Sequence, residues 1–159
     1  MLAIIDTLVL GFGMIYYALC VTVFILRAYE KSEQELKLRL VFSAQLLPFT
    51  SLMMWNLLVQ KDTGRTITLL PIIIFLVYDL WYRVITEKKP VHHPDKWPRE
   101  LILYLFLLYA GSIGLNWYGY LVSERHGMVL VVAFFVMMGA YGLYQTRYNK
   151  RKRSRTHES

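Results

Sequence analysis

The sequence predicts an all-α, polytopic membrane protein with five transmembrane helices, its N-terminus outside and its C-terminus in the cytoplasm. Three observations carry that reading. The 159 residues are 56% hydrophobic and only 18% charged, with a mean hydropathy of +0.37, which is more apolar than a soluble domain. The apolar residues fall in long blocks separated by short charged stretches, the pattern expected when the solvent is lipid. The 18 Lys and Arg residues lie outside those blocks or at their ends, sorted to alternate sides.

The blocks cover about 2–26, 41–60, 66–82, 101–122 and 128–146. At 1.5 Å per residue each is about 25–37 Å long, enough to cross a hydrocarbon core of about 30 Å with some tilt. The first has no basic residue before it and is too long for the apolar region of a secretory signal, so it is expected to be an anchor. The second follows Ser32-Glu33-Gln34-Glu35, which reads as a capping box placing the helix start near residue 33. Pro48 removes a backbone donor within that helix and is expected to bend it. The third block is the shortest and is expected to continue as helix to about Lys89, where Pro90 stops it.

Charge fixes the expected orientation. Arg27, Lys31, Lys37 and Arg39 follow the first block; Arg83, Lys88, Lys89, Lys96 and Arg99 follow the third. Arg147, Lys150, Arg151, Lys152, Arg153 and Arg155 follow the fifth, leaving only Lys61, Arg65 and Arg125 for the opposite side. The positive-inside rule puts the larger set, with the basic tail 147–159, in the cytoplasm of a cell-membrane protein. Trp55, Trp81 and Trp117, with several Tyr, mark the headgroup levels. The tail resembles a nucleic-acid-binding run in composition, but beside a membrane span it reads as a topology lock or a contact with anionic lipid. No nucleic-acid partner is expected.

Helices two and three resemble helices four and five at an offset of 61–63 residues. Ser51, Trp55-Asn56 and Gly64 correspond to Ser112, Asn116-Trp117 and Gly127, and Tyr78-Asp79-Leu80-Trp81 to Tyr141-Gly142-Leu143-Tyr144. A duplicated hairpin, with 41–86 superposing on 101–147, would explain this, in competition with the ordinary abundance of aromatic residues at interfaces.

Polar groups within the blocks are the functional candidates, because lipid makes each of them costly. Asp79, Gln45, Asn56 and Asn116 stand out, with Asp6 at the outer end. Asp79 sits one turn before Arg83 and pairs with it in the plainer reading; in the sharper one it relays a proton or an ion. Asp6, Asn56, Gln60, Asp62, Asn116, Glu124 and His126 gather near the outer surface as weak metal candidates or as an ordinary wet rim. His92, His93 and Asp95 form a third set, further weak metal candidates in a Pro-rich cytoplasmic loop whose plainer reading is a solvated or lipid-facing segment. The single cysteine, Cys20, can form no intrachain disulfide. No span holds a His or Lys, and no P-loop, GxSxG, HExxH or dinucleotide motif occurs, so no catalytic site and no particular cofactor is indicated. Ala110, Gly111 and Gly114, and again Gly139, Ala140 and Gly142, offer small faces for close helix packing.

The expected function is a non-catalytic accessory subunit of a larger membrane complex, with other membrane subunits, itself and the bilayer as partners; a respiratory or metallo-oxidoreductase assembly is one host that fits. A small oligomeric transporter or channel using Asp79 is the alternative, and a lipid-acting enzyme using the loop histidines a third. The orientation is checked by labelling in a Cys20→Ser background. A cysteine at Lys61 is expected to react with a membrane-impermeant maleimide in intact cells, and one at Lys150 only after lysis; the reverse pattern inverts the topology.

Overall fold

The computed structural model describes residues 2–60, 62–85 and 99–156, and among them it is helix and turn with no strand. Helices α1 (Leu2–Ala28), α2 (Ser32–Ala44), α3 (Leu46–Trp55), α4 (Thr63–Asp79), α5 (Arg99–Val122) and α6 (Glu124–Thr156) follow in order. Short π-helical segments, Asn56–Gln60 and Leu80–Ile85, extend α3 and α4. Five stretches are long and apolar enough to cross a membrane: Ile5–Ala28, Val41–Val59, Thr63–Tyr82, Leu101–Val122 and Glu124–Arg151. The expected helix beyond residue 85 to Lys89 lies outside the described residues.

Local chemistry sets the breaks. Pro48 has no N–H to give the carbonyl four residues back, and its ring crowds that carbonyl. That residue is Ala44, where α2 ends; Gln45 makes a turn before α3 begins. The Ser32 side chain, on which the expected capping box depends, lies outside the described residues. The N-cap of α2 is Lys31, whose side chain makes no cap bond; Glu35 meets Arg27, whose Nε and Nη2 lie 3.0 and 2.8 Å from Oε1. An Arg partner offers the carboxylate a stronger charge-assisted bond than a backbone N–H does. Between α1 and α2, Glu30 has φ 60, and Lys31 N donates to Leu26 O at 3.0 Å. This is a Schellman closure with Glu in the left-handed position that glycine usually fills.

The helices close into a ring. α4 packs on α5, α5 on α6 and α6 on α1, and α1 returns to α2 and α3, which meet α4. α1 and α6 run parallel, since Asp6 and Leu121 share one end while Ala28 and Arg151 share the other. The core is aromatic: Tyr16 meets Tyr17, Phe42 and Phe75 with centroids 5.3, 5.8 and 6.2 Å apart, and Phe75 meets Tyr104 at 5.4 Å. The Tyr16–Tyr17, Tyr16–Phe75 and Phe75–Tyr104 pairs are edge-on, the geometry ring quadrupoles favour. Outside, Trp55, Trp81 and Trp117 are all exposed, as are Phe106 and Phe135, an exterior suited to lipid.

Two small-residue faces have different fates. A Cβ added at Gly114 would sit 2.4 Å from the Thr68 carbonyl oxygen, and one at Gly111 would sit 3.0 Å from Ile72 Cα. These glycines let α4 and α5 touch backbone to backbone. At Gly139 and Gly142 an added Cβ would meet nothing within 4 Å. Positions equated by the proposed repeat also sit in unlike surroundings: Ser51 is exposed where Ser112 is fully buried, and Asp79 is buried where Gly142 is open.

Gly114→Ala is therefore expected to lower stability in detergent by about 2–3 kcal/mol through overpacking against rigid backbone. Gly142→Ala should stay within about 1 kcal/mol of the parent or gain slightly from helix propensity. Equal thermal midpoints for the two variants would show that the α4–α5 approach does not hold the bundle.

Candidate functional site

The polar groups collect into three places, one at each end of the bundle and one inside it. At the end bearing the α1 N-terminus, Asp62 caps α4 by accepting from Arg65 N at 3.0 Å. The same carboxylate meets Arg65 Nε at 3.2 Å. That cap aims the guanidinium across the bundle, where Nη1 donates to Asp6 Oδ1 at 2.9 Å and Nη2 to Leu121 O at 3.4 Å. The Tyr118 hydroxyl also donates to Asp6 Oδ1, at 3.3 Å, and accepts from Asn56 Nδ2 at 3.4 Å. One arginine thus joins α1, the start of α4 and the end of α5, and Tyr118 adds the π-helical turn after α3. Asn56 is fully buried, and its Oδ1 has no hydrogen-bond partner among the described residues.

Deeper in the bundle, the Tyr17 hydroxyl faces both the Ser112 carbonyl at 3.0 Å and Asn116 Oδ1 at 2.8 Å. Asn116 therefore serves an α1–α5 contact. Asp79 is 1% exposed and borders a cavity of about 10 Å³ shared with Cys20, Phe42 and Tyr104, about the room one water needs. Its carboxylate thus faces the bundle interior. The Arg83 side chain expected to pair with it lies outside the described residues. Gln45 is 6% exposed, at the break between α2 and α3.

At the other end, Arg27 and Glu35 form an ion pair whose side chains are 15% and 13% exposed. Arg151 Nη2 donates to the Ala28 carbonyl at 2.6 Å, and Nη1 pairs with Glu30. Arg147 lies over the Tyr29 ring with Cζ 4.0 Å from its centroid, and its Nη2 donates to the Tyr29 hydroxyl at 3.1 Å.

The structure joins Asp6, Asn56 and Asp62, but through Arg65 and Tyr118. His126 stays local: its backbone N donates to Ser123 Oγ at 3.3 Å, and its Nδ1 contacts the same hydroxyl at the start of α6. Among the described residues no three His, Cys, Asp or Glu side chains gather as a metal site would require. His92, His93 and Asp95 lie outside the described residues. No known family matches this sequence, and no curated protein or solved structure is significantly similar to it.

Sequence reasoning counted Arg65 as an outer cation without giving it partners. The three-residue spacing from Asp62 was the available signal. The Arg27–Glu35 pair spans a helix–turn–helix, and the Arg147 and Arg151 contacts span most of the chain, so no local spacing announces them.

Arg65→Met would strand the Asp6 carboxylate, which is 12% exposed at the side chain, and is expected to cost about 3 kcal/mol. Asp6→Asn keeps an acceptor for Arg65 and Tyr118 and should cost about 1 kcal/mol. Chemical-denaturation midpoints in detergent compare them, and an Arg65→Met protein as stable as the parent would show that this end is not held by the pair.

Proposed function

We propose that this chain is a non-catalytic subunit of a larger integral-membrane assembly, inserted with its N-terminus outside and its basic tail in the cytoplasm. The observation that carries this reading is the filled interior. Tyr16, Phe49, Leu69, Ile72, Phe75 and Leu76 have no exposed surface, and the cavity beside Asp79 is about 10 Å³. A bundle packed this way favours work done on its outer surface over passage of a solute through the monomer. The polar side chains support it, since Asp6, Arg65, Arg27 and Glu35 are engaged in tying helices together, with Asp62 bracing Arg65. The outer surface is ample: only 28% of the spanning window of α6 is buried within the chain.

A second reading, a small oligomeric transporter, rests on Asp79. An acidic group placed inside a membrane bundle is costly unless it serves a purpose, and this one borders a water-sized space beside the Tyr104 and Cys20 side chains.

Mild solubilisation from native membranes, followed by mass determination and identification of components, separates the readings. The subunit reading expects fixed stoichiometry with other membrane proteins; a lone species of 18.8 kDa or a homo-oligomer overturns it. The transport reading expects proton flux in proteoliposomes, lost in Asp79→Asn with expression and folding intact; the subunit reading expects no flux from either protein.

A further inference from the structure

We infer that the seam between α1 and α6 binds an anionic phospholipid, its phosphate held at the basic end of the bundle and an acyl chain lying along the seam. Two separate features lie on this seam. The first is an apolar groove of about 650 Å³, walled by Met14, Ala18 and Thr22 of α1 and by Val129, Val132 and Val136 of α6. The second is a pocket of about 450 Å³ at the helix ends, lined by Ala28, Tyr29, Glu30, Arg147, Lys150 and Arg151. Among the described residues its lining carries three cations and one carboxylate. Arg151 is taken up by Glu30 and the Ala28 carbonyl, while Arg147 is braced over the Tyr29 ring. The excess positive charge suits a phosphate, and the Tyr29 hydroxyl adds a polar contact at the rim.

Helical geometry places both features on one face. α6 is continuous from Glu124 to Thr156, and eighteen residues make five turns at about 3.6 residues per turn. Val129, Val132 and Ala133 in the groove therefore lie directly in line with Arg147, Lys150 and Arg151 in the pocket. On α1, Tyr17 and Ala18 lie about three turns before Ala28 and Tyr29, on the same side. Between the two, Ile25 and Leu143 are 39% and 41% exposed, so the connecting surface is apolar. From the pocket to the near end of the groove is about 10 Å along α1 and about 16 Å along α6. One leaflet of a hydrocarbon core of about 30 Å is about 15 Å deep. A chain hanging from a phosphate in the pocket would thus end in the groove. Charge at one end and apolar length behind it select a lipid over a free anion, whether the chain works alone or in an assembly.

The test uses full-length protein in neutral detergent, equilibrated with equimolar dioleoyl phosphatidylglycerol and dioleoyl phosphatidylcholine, with retained lipid counted by native mass spectrometry. Wild type is expected to retain phosphatidylglycerol over phosphatidylcholine by about tenfold, given the weight of a few surface cations against an anionic lipid. Arg147→Gln with Lys150→Gln should cut that preference by about fivefold or more. Lys37→Gln with Arg99→Gln removes two exposed cations at the same end, neither of which lines the pocket, and should leave the preference within about twofold. Val132→Trp, at a position already 62% exposed, should reduce retention by narrowing the groove without disturbing the fold. Equal retention of both lipids by wild type overturns the inference, and so does an equal loss in the two double variants. Unchanged retention in Val132→Trp, or displacement of the lipid by millimolar inorganic phosphate, overturns it as well.

Discussion

At Gly114 the backbone of α5 comes so near the Thr68 carbonyl of α4 that one methyl group would fill the gap, and the rest of the ring is arranged around that approach. In lipid, helices gain little by hiding apolar surface from one another, because the surround is equally apolar. Association then depends on close packing and on polar contacts made inside. Gly111 against Ile72 continues the same approach one turn away. With α4 and α5 fixed as a pair, Phe75 and Tyr104 are brought edge to face. Tyr16 and Phe42 complete a four-ring cluster that draws α1 and α2 inward.

The polar contacts fasten what packing brings together, and they do so at the ends. Arg65 gathers Asp6, Asp62 and the Leu121 carbonyl at one end; Arg27 holds Glu35, and Arg151 holds Ala28 and Glu30, at the other. Arg65 and Arg151 each reach two or more groups with the planar fork, and Arg27 grips Glu35 with two of its nitrogens, geometries that a lysine could not reproduce. Placing these pairs near the ends removes the freedom of the helices to slide. Asp79 is the exception, a carboxylate carried inward and walled by Phe42, Tyr104 and Leu108. Among the described residues it is the buried carboxylate, 1% exposed.

Several particulars were legible in the residues. Five apolar blocks with sorted charges mark five helices, because block length and hydropathy are one-dimensional properties. The break at Ala44 follows from Pro48, because a missing N–H acts at a fixed distance along the chain. The Arg27–Glu35 pair was not legible, because it forms across a turn closed by Glu30 in a left-handed conformation that its residue type does not advertise. Asp6, Asn56 and Asn116 were legible as groups to watch, but not their partners. Tyr118 and Tyr17 supply those partners from helices 112 residues from Asp6, 62 from Asn56 and 99 from Asn116.

By itself the sequence determined the helical class, the number of long apolar segments, the asymmetry of charge and the small-residue faces. Each of these is written along the chain and needs no neighbour to be true. Only the tertiary structure decided that Gly111 and Gly114 are used within the chain while Gly139 and Gly142 remain open. It alone placed Asp79 inside, made Arg65 the hub of one end, and set the groove and the basic pocket on one α1–α6 seam. These outcomes depend on which helix faces which, and the outward-facing and inward-facing sides are both apolar. Hydrophobic pattern, the main signal that orients helices in soluble proteins, therefore says little here, and the choice falls to shape and to scattered polar pairs.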